Sequence, residues 1–127
     1  MPLELKYKIW LESNSRVVFG HGRKELLEAI EECKSLNAAA KKLNMSYRAA
    51  WGRLKASEER LGFKLADHLA GEAMHLTKEA RALLAEFKSL EEQLTAIMQK
   101  SALQLKKFRQ NRAKQSQPTS KISQRSE

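Results

Sequence analysis

Between Cys33 and Ser57 the chain carries six basic side chains, Lys34, Lys41, Lys42, Arg48, Arg53 and Lys55, and not one acid. Four carboxylates, Glu25, Glu28, Glu31 and Glu32, lie just before that window. Cations gathered into an acid-free stretch are poor acid–base or nucleophilic catalysts. Their donors do suit phosphate oxygens and the acceptor atoms on base edges. The 127 residues hold 24 Lys and Arg against 15 Asp and Glu, a net charge of +9, and a balance of that sign favours polyanionic partners. Residues 106–127 contain seven of those basic residues and one acid, a local +6 that leaves only +3 for the rest. The acid-free window therefore stands out against a nearly balanced body.

Other chemistries are poorly served. His21, His68 and His75 have neither the spacing nor the partners of a metal site. Gly20-His21-Gly22 lacks the third glycine and the helix-opening phosphate loop of a dinucleotide fingerprint, and reads as a tight loop. No nucleophile has a nearby base, and so small a core has little room for a pocket. The sequence thus predicts no catalytic residue, no metal and no cofactor, and a binding protein rather than an enzyme. Cys33, the one cysteine, cannot form an internal disulfide; it suits a reducing compartment and falls at the edge of an apolar face, where it reads as core. No stretch approaches the roughly 18 apolar residues of a membrane span. Glu4, Lys6 and Lys8 interrupt the segment where a signal peptide would be apolar. A soluble, unprocessed, cytoplasmic protein is expected.

The basic window has to be carried by particular elements. Leu3, Leu5, Tyr7, Ile9 and Leu11 alternate with Glu4, Lys6, Lys8, Trp10 and Glu12, which predicts a half-buried strand. Ser13-Asn14-Ser15 supplies a turn, and residues 16–19 a short return strand. From Arg23 the period becomes helical, with Leu26, Leu27, Ile30 and Cys33 on one face. Ser35 is placed to cap a second, short helix burying Leu36, Ala39, Ala40 and Leu43. Asn44 tolerates a left-handed turn, Ser46 caps a third helix over about 46–61, and Gly62 ends it. Two helices joined by about three residues, with alanines where they cross, form a helix-turn-helix. Residues 63–69 and 73–76 flank Ala70-Gly71-Glu72 and predict a small hairpin, a wing whose acidic tip would repel phosphate. Thr77 caps a last helix, in which Ala80, Leu83, Phe87, Leu90, Leu94 and Ile97 recur at alternating steps of three and four. Run to about Lys106, it would span ~45 Å at ~1.5 Å per residue, longer than one small domain needs. Leu83, Phe87, Leu90, Leu94 and Ile97 are therefore the expected dimerisation seam, with packing back onto the same domain as the alternative.

At about 100° per residue, Ala50, Leu54, Ser57 and Leu61 share one face of the third helix, with Arg48, Gly52 and Lys55 opposite. A helix in the major groove needs such outward donors, and Arg48 stands near its N-terminal end, where base edges are usually met. Lys55 is better placed for a phosphate, as are Ser46 and the free N–H groups of the helix start. Tyr47 and Trp51 flank this face; Trp51 reads as a packing residue rather than a base contact.

These residues carry a resemblance. The stretch SLNAAAKKLNMSYRAAW resembles the helix-turn-helix of ModE-type molybdate-dependent regulators and, more loosely, of LysR-type regulators. SYRAAW, residues 46–51, is its most specific part. GHGRKELLEAIEECKSL resembles the loop and first helix of the ModE-type domain, and LGFKL and HLTKEA the wing strands and linker-helix start of both groups. The resemblance implies a winged helix-turn-helix, mainly α with a small β component (α+β), that dimerises through its long helix and sets two reading helices on a quasi-palindromic site. It makes Ser46, Tyr47, Arg48, Gly52 and Lys55 the DNA-facing candidates, to which the basic window adds Lys41, Lys42 and Arg53. The expected organisation is a DNA-binding domain over 1–76, a dimerisation helix over 77–106, and a disordered basic tail over 107–127 that is either inert or tracks DNA. The C-terminal oxyanion-binding domain of ModE-type proteins has no counterpart in this sequence, so the expectation is a chain that works without ligand, responds through a separate effector-sensing partner, or belongs to a divided system. The expected partners are double-stranded DNA and a second copy of the chain, with no membrane. The expected function is a sequence-specific bacterial transcription regulator, with an architectural DNA-binding protein of little sequence preference as the alternative.

Overall fold

The computed structural model describes residues 3–68 and 73–115, with side chains through residue 111. The element order is β1 (Trp10–Ser13), β2 (Arg16–Gly20), α1 (His21–Cys33), α2 (Leu36–Lys42), α3 (Tyr47–Leu61), β3 (Ala66–His68), β4 (Met74–Leu76) and α4 (Lys78–Gln115). The fold is a winged helix, mostly helical with small hairpins. Two compact units divide the chain, one over Lys8–Ser89 and the other joining Met1–Tyr7 to Leu90–Glu127. Among the described residues no helix is long and apolar enough to cross a membrane.

In the first unit β1 and β2 pair antiparallel, Ser13 opposite Arg16 and Trp10 opposite Gly20. Asn14 and Ser15 both take positive φ, 52° and 65°, the backbone that a two-residue hairpin turn demands. The expected strand over residues 3–12 is corrected: only Trp10–Ser13 is strand, and its residues are exposed. The physical reason is supply of partners, because β2 is five residues long and pairs with Trp10–Ser13 only. The expected loop at Gly20-His21-Gly22 is also corrected, since α1 begins at His21. A Cβ on Gly20 would stand 3.1 Å from the Trp10 Cβ, a tight contact that glycine avoids where β1 closes on β2. His21 then pairs with Glu25 one turn on, at 3.1 Å.

The core is assembled from one face of each element. Phe19 of β2, Leu26, Leu27 and Ile30 of α1, Leu65, and Leu76 of β4 are fully buried. Leu36, Ala39 and Ala40 of α2, Ala50 and Leu54 of α3, and Ala80 and Phe87 of α4 complete it. Phe87 meets Phe19 edge to face, centroids 5.0 Å apart and planes at 79°. The seam expected for dimerisation is corrected at Phe87, which lies in its own domain's core, while half-buried Leu83 packs against that core. Hydrophobic burial is non-directional, and Phe19 is the apolar surface within reach of Phe87. Farther along, Leu94 is half-buried, Leu90 is 42% exposed and Ile97 58% exposed.

β3 and β4 form the second hairpin, Ala66 opposite Leu76 and His68 opposite Met74. The tip expected at Ala70-Gly71-Glu72 lies outside the described residues. Thr77 caps α4 as expected, its Oγ1 accepting from Ala80 N at 3.1 Å and donating to Lys64 O at 2.7 Å. α4 continues to Gln115, beyond the expected end near Lys106. Residues 107–115, KFRQNRAKQ, contain neither Gly nor Pro and are rich in helix formers, so propensity carries the helix on after its apolar seam has failed. Residues 116–127 of the expected disordered tail are outside the described residues. In the second unit residues 3–7 accompany α4, with Tyr7 Oη 2.8 Å from Thr95 Oγ1.

Candidate nucleic-acid interface

The turn between α2 and α3 is built from three backbone devices. Ser35 Oγ accepts from Ala38 N at 3.1 Å and opens α2. Asn44 then takes φ 58°, and its N–H together with that of Met45 returns to the carbonyls of Lys41 and Ala40, at 3.0 and 2.9 Å. Ser46 Oγ accepts from Ala49 N at 3.0 Å and opens α3. Ala39, Ala40 and Ala50 are at most 1% exposed, and their small size lets the two helices approach closely. α3 ends at Gly62, which holds φ 86° and returns its N–H to Glu58 O at 2.8 Å.

With Ala50, Leu54, Ser57 and Glu58 turned inward, the other face of α3 points to solvent. Ser46, Tyr47, Arg48, Gly52, Arg53 and Lys55 are all exposed, as are Lys41 and Lys42 of α2. A Cβ on Gly52 would meet nothing within 4 Å, so the protein's own packing does not require glycine there and the backbone is open to an approaching molecule. The structure therefore places every candidate on the exterior, all eight of them on or beside two successive helices. Their surroundings differ. Lys42 is ion-paired with Glu32, and the hydrogen bond it donates to that carboxylate raises its pKa. Lys55 Nζ lies 3.3 Å from Glu58 Oε1 and 6.0 Å from the Trp51 ring centroid. Arg53 stands near Arg23 and Arg60; the Arg23 pKa is lowered first by its own burial and then by these two charges. Arg23 Nε donates to the buried Ser57 Oγ at 3.1 Å, and Arg60 Nη1 to Val17 O at 2.6 Å, which ties α3 to α1 and β2.

Two residues were misjudged or missed from sequence. Trp51, expected to pack, is 48% exposed beside Tyr47 at 52%, because at one turn's spacing both lie at the edge of the buried stripe. Glu58 is buried, and its Oε2 accepts from Leu65 N at 2.8 Å and Ala66 N at 3.3 Å. The available signal was its angular position beside Leu54 and Leu61 on the apolar face. Among the described residues no group of three or more His, Cys, Asp and Glu side chains could hold a metal ion.

Residues 23–81 match the family described as bacterial regulatory helix-turn-helix protein, lysR family. They span α1, the α2–α3 turn, the wing and the start of α4. The match covers just under half of the chain. No curated protein matches the chain. Among solved structures, the complex of the CbnR DNA-binding domain with DNA is similar with a TM-score of 0.54 at 23% identity, over 66% of this chain and 95% of that one. Full-length CbnR complexed with its target DNA gives 0.51 at 24% identity, over 63% of this chain and 27% of its own. DarR from Vibrio fischeri, in complex with DNA, gives 0.51 at 24%, over 65% and 28%. At these identities the likeness is one of fold, and the match spans little more than a quarter of the full-length CbnR chain and of the DarR chain, 27% and 28%. Of the two resemblances carried by the sequence, the LysR-type one coincides with the matched family.

Proposed function

We propose that the chain is a sequence-specific, DNA-binding transcription regulator of the bacterial cytoplasm, acting as a homodimer with α3 in the major groove. The observation that carries this is the outward face of α3, where Arg48, Gly52 and Lys55 stand opposite the buried face, within a stretch that matches the LysR-type family. Arg48, near the capped N-terminus, reads a base edge. Ser46, Lys41, Lys42 and Arg53 serve the phosphates, Lys55 faces the groove from the same side of α3, and Tyr47 contributes its exposed ring. Trp51 joins this surface on the strength of its exposure. The homodimer rests on the apolar side chains that the described residues leave outward on α4, Leu90 and Ile97 with half-buried Leu94. The SYRAAW stretch supports a ModE-type relationship, with any effector sensed through a separate partner.

The test is binding to selected and to random duplex DNA at two salt concentrations. A site-specific regulator prefers the selected site by at least ~10³-fold. Arg48→Ala then costs about 1–3 kcal/mol on the selected site and little on random DNA. Sequence-blind, steeply salt-dependent binding would instead identify an architectural protein.

A further inference from the structure

Glu58 is an odd residue to find on the packed face of a reading helix. It is 9% exposed, on α3, and a buried carboxylate persists only where its charge is met. Its two oxygens are used differently. Oε2 accepts from the N–H groups of Leu65 and Ala66, at the start of the wing strand β3. Oε1 faces the Lys55 ammonium at 3.3 Å, and that ammonium lies over the Trp51 ring at 6.0 Å, the outer range of a cation–π contact. A single side chain thus links the wing, the middle of α3 and two outward residues of its exposed surface.

We propose that Glu58 is a positioning residue for DNA recognition, holding Lys55 against Trp51 and fixing α3 to the wing. The proposal rests on the DNA-reading role of α3 given above. A free lysine at position 55 would swing on four carbons and neutralise whichever phosphate came near, which adds affinity for any sequence. Held by Glu58, the same ammonium contributes little to sequence-blind binding and presents one geometry to a matching site. Backbone donors keep a partner in a neutral amide oxygen, at reduced strength, whereas the hold on Lys55 needs the negative charge. Glu58→Gln therefore separates the two tasks: its carbonyl replaces Oε2 toward Leu65 and Ala66, and its NH2 turns Lys55 away.

The experiment measures the Glu58→Gln and Lys55→Gln proteins and their combination on selected and random duplexes across a salt series, with circular dichroism as the check on folding. For Glu58→Gln the preference for the selected site should fall about tenfold, within the range one good contact supplies. At the same time the slope of log K against log salt on random DNA should steepen by about 0.9, one phosphate's worth, as Lys55 is released. A destabilised protein loses both affinities in parallel and gains no slope, so opposite movement is the signature of positioning. Lys55→Gln, at an exposed site, should lose preference without steepening, and Glu58→Gln on that background should add neither effect. Parallel loss, no change on either DNA, or full preference in Lys55→Gln each overturns the positioning role while leaving the DNA-reading role standing. A wild-type protein with no preference overturns both.

Discussion

Phe87→Ala separates the two fates open to the apolar seam of α4. The ring is 3% exposed and meets Phe19, itself fully buried, at 5.0 Å and 79°. Truncating such a ring costs about 3–5 kcal/mol, because the cavity collapses only in part. Of that, about 0.5–1.5 kcal/mol belongs to the edge-to-face contact itself. Small domains have total stabilities of only ~5–15 kcal/mol, so the loss is a large fraction of the whole. With roughly 4–8 °C of Tm per kcal/mol in a domain of this size, unfolding should come at least ~12 °C earlier. The assay is chemical and thermal unfolding at two protein concentrations a hundredfold apart. A core residue gives the same cost at both concentrations, since the contact is made within one chain. A double-mutant cycle with Phe19→Leu should return a coupling of about 1 kcal/mol. A cost below about 1 kcal/mol that appears only at the higher concentration would refute the core assignment and return Phe87 to the dimer seam.

Three further outcomes are expected. Ile97→Lys, at a side chain 58% exposed, should leave unfolding of the dilute protein unchanged but weaken self-association in sedimentation equilibrium; an unchanged mass at all concentrations removes α4 from the dimer. Gly62→Ala should cost about 1 kcal/mol in urea unfolding through backbone strain alone, since φ is 86° and the added Cβ meets nothing within 4 Å; a neutral result contradicts the αL cap. Asp67 is held below its ordinary pKa of 3.8, chiefly by the His68 N–H and then by Lys64. A depressed carboxyl stabilises the fold at pH above its unfolded value and loses that contribution as pH falls through the folded one. The stability difference between wild type and Asp67→Asn should therefore fade below about pH 4, and a difference that persists unchanged through that acid range contradicts the assignment.

Much of the candidate surface was legible because it depends on short-range rules. Ser35, Ser46 and Thr77 act as N-caps, and Asn44 and Gly62 take positive φ, where their residue types placed them. The inward face of α3 follows from a fixed angular step per residue, and its outward face from the same step. Less legible was anything that turned on which distant residue offers a partner. Residues 3–9 alternate like a strand, yet pairing stops at Trp10 because β2 extends no farther. Gly20 resembled a loop glycine until the closeness of Trp10 explained it.

Local pattern and composition were enough to set the helices, their caps, the crossing of α2 with α3 and the concentration of positive charge on both. Those features arise from interactions within a few residues along the chain, where periodicity and residue type carry the energy. Three assignments were left to the tertiary fold. Phe87 is core rather than seam, since Phe19 stands 5.0 Å away. Trp51 is exposed rather than packed. Glu58 is buried, because Lys55 and two backbone N–H groups surround it. Each depends on what meets a side chain across the domain, and a burial energy cannot be assigned until both surfaces are in place.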